Sequence, residues 1–267
     1  MVLHVAFEGI DGVGKSTLID NLKDFLTSKQ YKVCTAVQPS NEPILNILKH
    51  YDLSNHEIAL LMALDRSLTY YNEDWEQYDI VLWDRSILSS YAYNTDQNTP
   101  RTFIKQINRY FPLMNLYVII ESDILLEEQD YTESKDLINK YNWLKNNHKN
   151  TTSIEYIADK PEKMLEETVK ILFEELPTCN WCGKLFTPSK EYKKYCTDDC
   201  RKYSLEEQHR INNHNYYHRY KDVMTERQKG QLGSKGANLH GKPDPNPLIE
   251  IEKLRKHRKA IGLSPFK

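Results

Sequence analysis

The chain has 267 residues, 28% of them charged and 39% hydrophobic, with a formal net charge of −2. This is enough apolar material for a core. No apolar run approaches the roughly 20 residues of a bilayer-spanning helix, so a helical membrane protein is not expected. The first residues carry no basic region followed by a long apolar stretch and a small-residue cleavage site, so a cytoplasmic location with reduced cysteines is expected.

The near-neutral total hides an asymmetry. Residues 177–267 hold 19 Lys+Arg and 10 Asp+Glu, whereas residues 1–176 hold 17 and 28. The change coincides with Pro177 and the first of four clustered cysteines, which places a domain boundary there. The expected organisation is a domain over 1–176, a four-cysteine module over 177–203 and a basic helical or flexible tail over 204–267.

Within 1–176, short apolar runs alternate with helical patterns. VLHVAF, YKVCTAV, DIVLW, NLYVII and SIEYIA read as strands. STLIDNLKDFL, EIALLMALDRSLTYYNEDW behind the capping box Ser54-Asn55-His56-Glu57, a segment opened by Thr99-Pro100, and PEKMLEETVKILFEEL read as helices. This alternation implies an α/β fold: a mainly parallel sheet flanked by helices, with ligands at the carboxyl ends of the strands.

The first strand runs into FEGIDGVGKST, residues 7–17, whose core is Gly9-x-x-x-x-Gly14-Lys15-Ser16. Glycines, Gly12 among them, let the backbone curl so that its N–H groups converge on phosphate oxygens, and the N-terminus of the following helix adds partial positive charge. Lys15 can reach the β- and γ-phosphates of ATP, Ser16 can ligate Mg²⁺, and Thr17 completes the cradle. A bare glycine turn is the alternative, disfavoured by the strand before it and the helix after it. Asp84-Arg85-Ser86 follows DIVLW at another strand end. There Asp84 can help hold Mg²⁺ and Arg85 can grip phosphate as a planar fork, although such a triplet can also be a surface turn. Met62 and Arg66, four residues apart, share one helix face; core packing and a solvated charge are their ordinary explanations.

Together these residues resemble the thymidylate kinase family of P-loop nucleoside monophosphate kinases over 1–176. FEGIDGVGKST, WDRSILSSYAYN and LLMALDR are similar to three motifs of that family, and QPSNEPIL is a weaker echo of a fourth. The resemblance implies transfer of the γ-phosphoryl of ATP to the 5′-phosphate of dTMP or a related deoxynucleoside monophosphate, with Mg²⁺, in what is often a homodimer. It implies that Lys15, Asp84 and Arg85 are catalytic, and that Gly9, Gly12, Gly14, Lys15, Ser16 and Thr17 hold ATP. It further implies that Asp11 meets the acceptor sugar and Arg85 its phosphate. Arg66 and Met62 would meet the base, Tyr93 would pack on the deoxyribose, and Ser89 and Asn94 would approach base or sugar.

Three departures stand out. Val37-Gln38 replaces the family's Arg-Glu, and Met62 replaces an aromatic residue. No arginine occupies the P-loop at Gly12 or Val13, and none lies between Arg109 and Arg201, which includes the expected lid at 122–145; Lys135 or Lys140 could substitute. Two alternatives remain: a deoxynucleoside kinase, whose carboxylate base would fall at Gln38, and a nucleotide-sensing module without turnover.

In the C-terminal part, Cys179-x-x-Cys182 and Cys196-x-x-x-Cys200 have the spacing of a structural Zn²⁺ site with four thiolates, while Cys34 reads as a lone core residue. His209, His214 and His218 are not needed to complete that site. HRINNHNYYHRYK, RQKGQLGSKG and KLRKHRK interleave cations with Tyr216, Tyr217 and Tyr220. This suits nucleic-acid binding, docking on the chain's own acidic domain, or simply a solvated tail.

Overall fold

A computed structural model describes residues 2–122, 131–158, 160–188 and 194–220. Residues 123–130 of the expected lid at 122–145, and the runs RQKGQLGSKG and KLRKHRK, lie outside the described residues. The chain divides into two compact units between Leu176 and Pro177.

The first unit is a five-stranded sheet of β1 (Leu3–Glu8), β2 (Val33–Val37), β3 (Ile80–Asp84), β4 (Leu116–Glu121) and β5 (Thr151–Glu155). Its order is β2-β3-β1-β4-β5, every pairing parallel. Strands buried on both faces read as continuous apolar runs, and β1, β3 and β4 are almost wholly buried. The edge strands β2 and β5 are only half-buried. The strand order reverses around β1, so the carboxyl ends of β3, β1 and β4 frame the crevice where open parallel sheets bind ligands.

The helices of this unit are α1 (Lys15–Ser28), α2 (Glu42–His50), α3 (Asn55–Asn72), α4 (Ile87–Tyr93), α5 (Arg101–Ile107), α6 (Tyr131–Asn147) and α7 (Pro161–Glu175). The capping box opens α3: Glu57 N–H donates to Ser54 Oγ at 3.4 Å, and Ser54 N–H donates to Glu57 Oε2 at 2.8 Å. Helix α3 stops three residues before Trp75, because Asp74 caps a separate 3₁₀ turn over Trp75–Gln77. Pro100 is the N-cap of α5 rather than part of its first turn. Strand β5 ends at Glu155 and omits Tyr156, Ile157 and Ala158 of the expected SIEYIA run. The short helices α2 and α4 were not anticipated, although α2 carries Ile44, Ile47 and Leu48 at helical spacing.

In the second unit, Thr178 and Leu185 form an antiparallel bridge around a tight turn. Gly183 closes that turn with φ 73°, a conformation that disfavours a side chain, and its N–H donates to Cys179 O at 2.9 Å. Helix α8 (Asp198–Tyr220) follows. Cys179, Trp181 and Cys182 are buried, with Phe186, Tyr195, Cys196, Cys200 and Tyr203 packed on them. Among the described residues no helix is long and apolar enough to cross a membrane.

Candidate active site

The loop between β1 and α1 brings the P-loop residues together. Gly9 has φ 141°, and a Cβ there would lie 2.8 Å from the backbone oxygen of Ile120, so only glycine lets the loop pass β4. Gly14, in the left-handed region, is the N-cap of α1, and Lys15 is its first residue. Lys15 is buried, and its Nζ donates to the carbonyls of Gly9 at 3.1 Å and Ile10 at 2.7 Å. Burial, helped by the Arg85 cation and opposed by Asp11, Asp84 and Glu8, lowers its pKa to about 8. A polyanion would restore the full charge.

Strand β3 delivers the second group. Asp84 Oδ2 accepts from Ser16 Oγ at 2.7 Å, joining the hydroxyl and carboxylate that a hard cation requires. Arg85 sits at φ 70°, a strained backbone for a residue with a side chain, and its N–H donates to Phe7 O at 3.0 Å. Its guanidinium pairs with Asp11, donates to Ser89 Oγ at 3.2 Å and lies 5.1 Å from the Tyr93 ring centroid. Burial pushes the Arg85 pKa down, but Tyr141, Tyr93 and Asp11 raise it by more, so it stays a cation.

Two cavities meet here. One, of about 410 Å³, is lined by Gly12, Gly14, Lys15, Ser16, Thr17, Val37 and Asp84 together with Asp11, Gln38 and Arg85. The other, of about 470 Å³, shares those last three residues and adds Met62 and Arg66 of α3, Ser89 and Tyr93 of α4, and Asn94, the C-cap of α4. A smaller cavity of about 180 Å³ flanks Gly14 and Thr17 and is lined by Tyr156, Ile157 and Pro161.

Arg66 is not a solvated charge. It is 2% exposed and donates to Asn108 Oδ1, Gln38 Oε1, Ser86 O and Ser90 Oγ. Burial lowers its pKa to about 10, opposed by Glu8 and Asp65, so it is charged at neutral pH.

Sequence reasoning missed Glu8. Its buried carboxylate accepts from Ser86 Oγ at 2.5 Å, Ser89 Oγ at 2.6 Å and the Tyr141 hydroxyl at 3.3 Å. The available signal was an acid ending an otherwise apolar strand. Tyr141 itself comes from α6, with no local clue. Lys140 pairs with Asp136 at 2.8 Å, and Lys135 is exposed. Lys145, which was also missed, pairs with Glu121 at 2.7 Å beside a further cavity under α6.

In the second unit the four cysteine sulfurs lie within 4.8 Å of one another, with Cys182–Cys196 and Cys196–Cys200 both at 3.5 Å. Four thiolates about 2.3 Å from a tetrahedral Zn²⁺ would stand about 3.8 Å apart, so the donor set fits that ion in number, type and spacing.

Residues 7–174 match the family model described as thymidylate kinase. A probable thymidylate kinase of Methanobrevibacter smithii is 33% identical over 153 residues, covering 52% of this chain and 76% of that protein. One from Methanopyrus kandleri is 33% identical over 131 residues, covering 49% and 66%. The crystal structure of thymidylate kinase from Ehrlichia chaffeensis superposes with a TM-score of 0.55 at 25% identity, covering 64% of this chain and 98% of that one. The cysteine unit lies outside the matched residues. Motif, fold and relatives agree: the chain belongs to the thymidylate kinase family.

Proposed function

We propose that the first unit transfers the γ-phosphoryl of ATP to dTMP. The observation that carries this reading is the pair of adjoining cavities sharing Asp11, Gln38 and Arg85, one holding the P-loop and the other the Met62–Arg66 face. Phosphoryl transfer between two nucleotides needs two such seats and a common wall. Lys15 and the N-terminus of α1 bind the donor phosphates, and the Tyr156–Ile157–Pro161 cavity takes the donor's base. Ser16 and Asp84 would hold Mg²⁺, which supplies charge neutralisation at those phosphates. Arg85 takes the acceptor phosphate, and Arg66 and Met62 the base, with Tyr93, Ser89 and Asn94 around the sugar. A 5′-phosphate is already anionic at neutral pH, so alignment and charge neutralisation suffice without a strong general base. Gln38 supports this over the deoxynucleoside kinase alternative, because an amide cannot take a proton from a neutral 5′-hydroxyl. The test is ADP formation with Mg²⁺-ATP across a panel of deoxynucleoside monophosphates and deoxynucleosides. Turnover of thymidine but not dTMP would refute the assignment, and nucleotide binding without any turnover would mark a sensor.

For the second unit the reading is one structural Zn²⁺ on Cys179, Cys182, Cys196 and Cys200, tested by metal analysis of protein purified without chelator. Leu60, Leu64 and Leu68, exposed at i, i+4 and i+8 on α3, offer a face for a second copy, and Leu64→Glu should shift the sedimentation of a homodimer to that of a monomer. Nucleic-acid binding through the basic region rests on residues beyond 215, since 198–215 carry four carboxylates against three Arg or Lys. Binding to single- or double-stranded DNA or RNA that weakens steeply with salt is the expected sign.

A further inference from the structure

We infer that Gln38 is a direct ligand of the acceptor's 5′-phosphate, a neutral donor standing beside the position where this chain has valine in place of the family's arginine. The inference rests on the monophosphate kinase reading above.

The backbone fixes the residue first. Strand β2 ends at Val37, in register with Asp84, and Gln38 N–H donates to Asp84 O at 3.0 Å. This sets Gln38 against the carboxylate that faces Ser16. Its side chain is 3% exposed and lines both cavities. The amide's orientation follows from its neighbour. Arg66 Nη1 lies 3.5 Å from Gln38 Oε1. A guanidinium can only donate, so the atom facing it must be the amide oxygen. The amide nitrogen is thereby turned the other way, and it is buried with no hydrogen-bond partner in the protein.

A buried donor left open is rare and calls for an acceptor. The position restricts which acceptor. Gln38 shares with Asp11 and Arg85 the wall common to the two cavities, so a nucleobase seated against Met62 and Arg66 cannot also reach the P-loop side. The group that lies between donor and acceptor seats during transfer is the acceptor's own phosphate. It is an acceptor-only group, and Arg85 already offers it a cation. Val37, half-exposed on the P-loop side, offers no donor through its side chain.

A purely structural role for Gln38, orienting Arg66 through Oε1, makes the opposite prediction for one substitution. Gln38→Glu keeps the shape and strengthens the contact with Arg66 by adding charge. On the side of the unpartnered amide nitrogen it replaces two donors by a carboxylate oxygen. If Gln38 only orients Arg66, dTMP and thymidine affinities shift together and the melting temperature holds or rises. If the amide binds the phosphate, Kd for dTMP by calorimetry rises about tenfold or more, the usual effect of losing a hydrogen bond to a charged group. The Kd for thymidine, which has no phosphate, rises by much less than that for dTMP. Gln38→Met, which removes the donor without adding charge, should shift dTMP in the same direction by less, and it carries the test if the glutamate variant does not fold. Unaltered dTMP affinity in both variants, or an equal loss for thymidine, would overturn the inference while leaving the kinase reading intact. Failure of the unaltered chain to bind or turn over dTMP would overturn both.

Discussion

Between Leu3 and Leu176 the buried hydrophobic side chains are those of an ordinary parallel-sheet core, among them Phe7, Leu82, Trp83, Val118 and Ile120. Between Pro177 and Tyr220 the buried hydrophobic residues among those described are Cys179, Trp181, Cys182 and Leu185, two of them candidate ligands. The first unit has a core large enough to fold by itself, with its candidate site at the carboxyl ends of the central strands. The second has almost no core apart from its sulfurs, so its candidate site and its core are the same atoms. Damage to a site should therefore cost activity in one unit and structure in the other.

The largest effect is expected in the cysteine unit, on the reading that it holds one Zn²⁺. Structural Zn²⁺ sites of this kind contribute on the order of 10–16 kcal/mol to folding. Chelation or Cys196→Ser should abolish hydrogen-exchange protection over 177–220 and leave the melting of 1–176 in place. Protection that survives complete chelation would break the comparison.

Lys15→Ala should do the reverse. Loss of a preorganised donor to developing charge costs about 2.7–4 kcal/mol, so ADP formation should fall about 10²- to 10³-fold with the melting temperature retained. Full turnover would remove Lys15 from the phosphates.

The core of the first unit has its own pH signature. His4 is buried against Tyr70, Trp75 and Trp83, and its Nδ1 accepts from Trp83 Nε1 at 3.0 Å. Burial lowers its pKa from 6.5 to about 4. The unfolded chain then binds the proton first, so stability is complete above pH 6.5 and falls by about 3 kcal/mol as pH drops towards 4. Chemical denaturation of 1–176 across that window should show the slope, and His4→Gln should flatten it. An unchanged slope in the variant would place its origin elsewhere.

Arg85→Ala should weaken dTMP by about 1.5–3 kcal/mol in kcat/KM with little change in stability. Unaltered kinetics would reduce Arg85 to a structural ion pair. The smallest effect expected is on the capping box, where Ser54→Ala should cost about 1 kcal/mol of stability, read from the denaturation midpoint of 1–176.

How much could be read beforehand depended on how local each signal was. The P-loop, the five apolar strands and the paired cysteines each lie within a short stretch whose spacing is itself the chemistry. Helix α4, with seven residues, gives too few turns for a period to emerge, whereas α2 carries Ile44, Ile47 and Leu48 at helical spacing and went unread. Arg85's left-handed backbone was not legible because nothing in Asp-Arg-Ser demands it; tertiary packing imposes it. The ring of Ser86, Ser89 and Tyr141 around Glu8 joins residues up to 133 positions apart, and no pattern in one sequence reports such a meeting.

In the free chain the Asp11 carboxylate occupies Arg85. A tethered anion of this kind competes at an effective concentration that no dilute solute matches. Inorganic phosphate, with only its charge to offer, must displace that carboxylate unaided. A nucleotide brings its base and sugar into the adjoining cavity at the same time, and the surplus from those contacts opens the pair. On that reading Asp11 should act as a toll on simple anions, with the fork of Arg85 released chiefly to ligands that fill both halves of the seat.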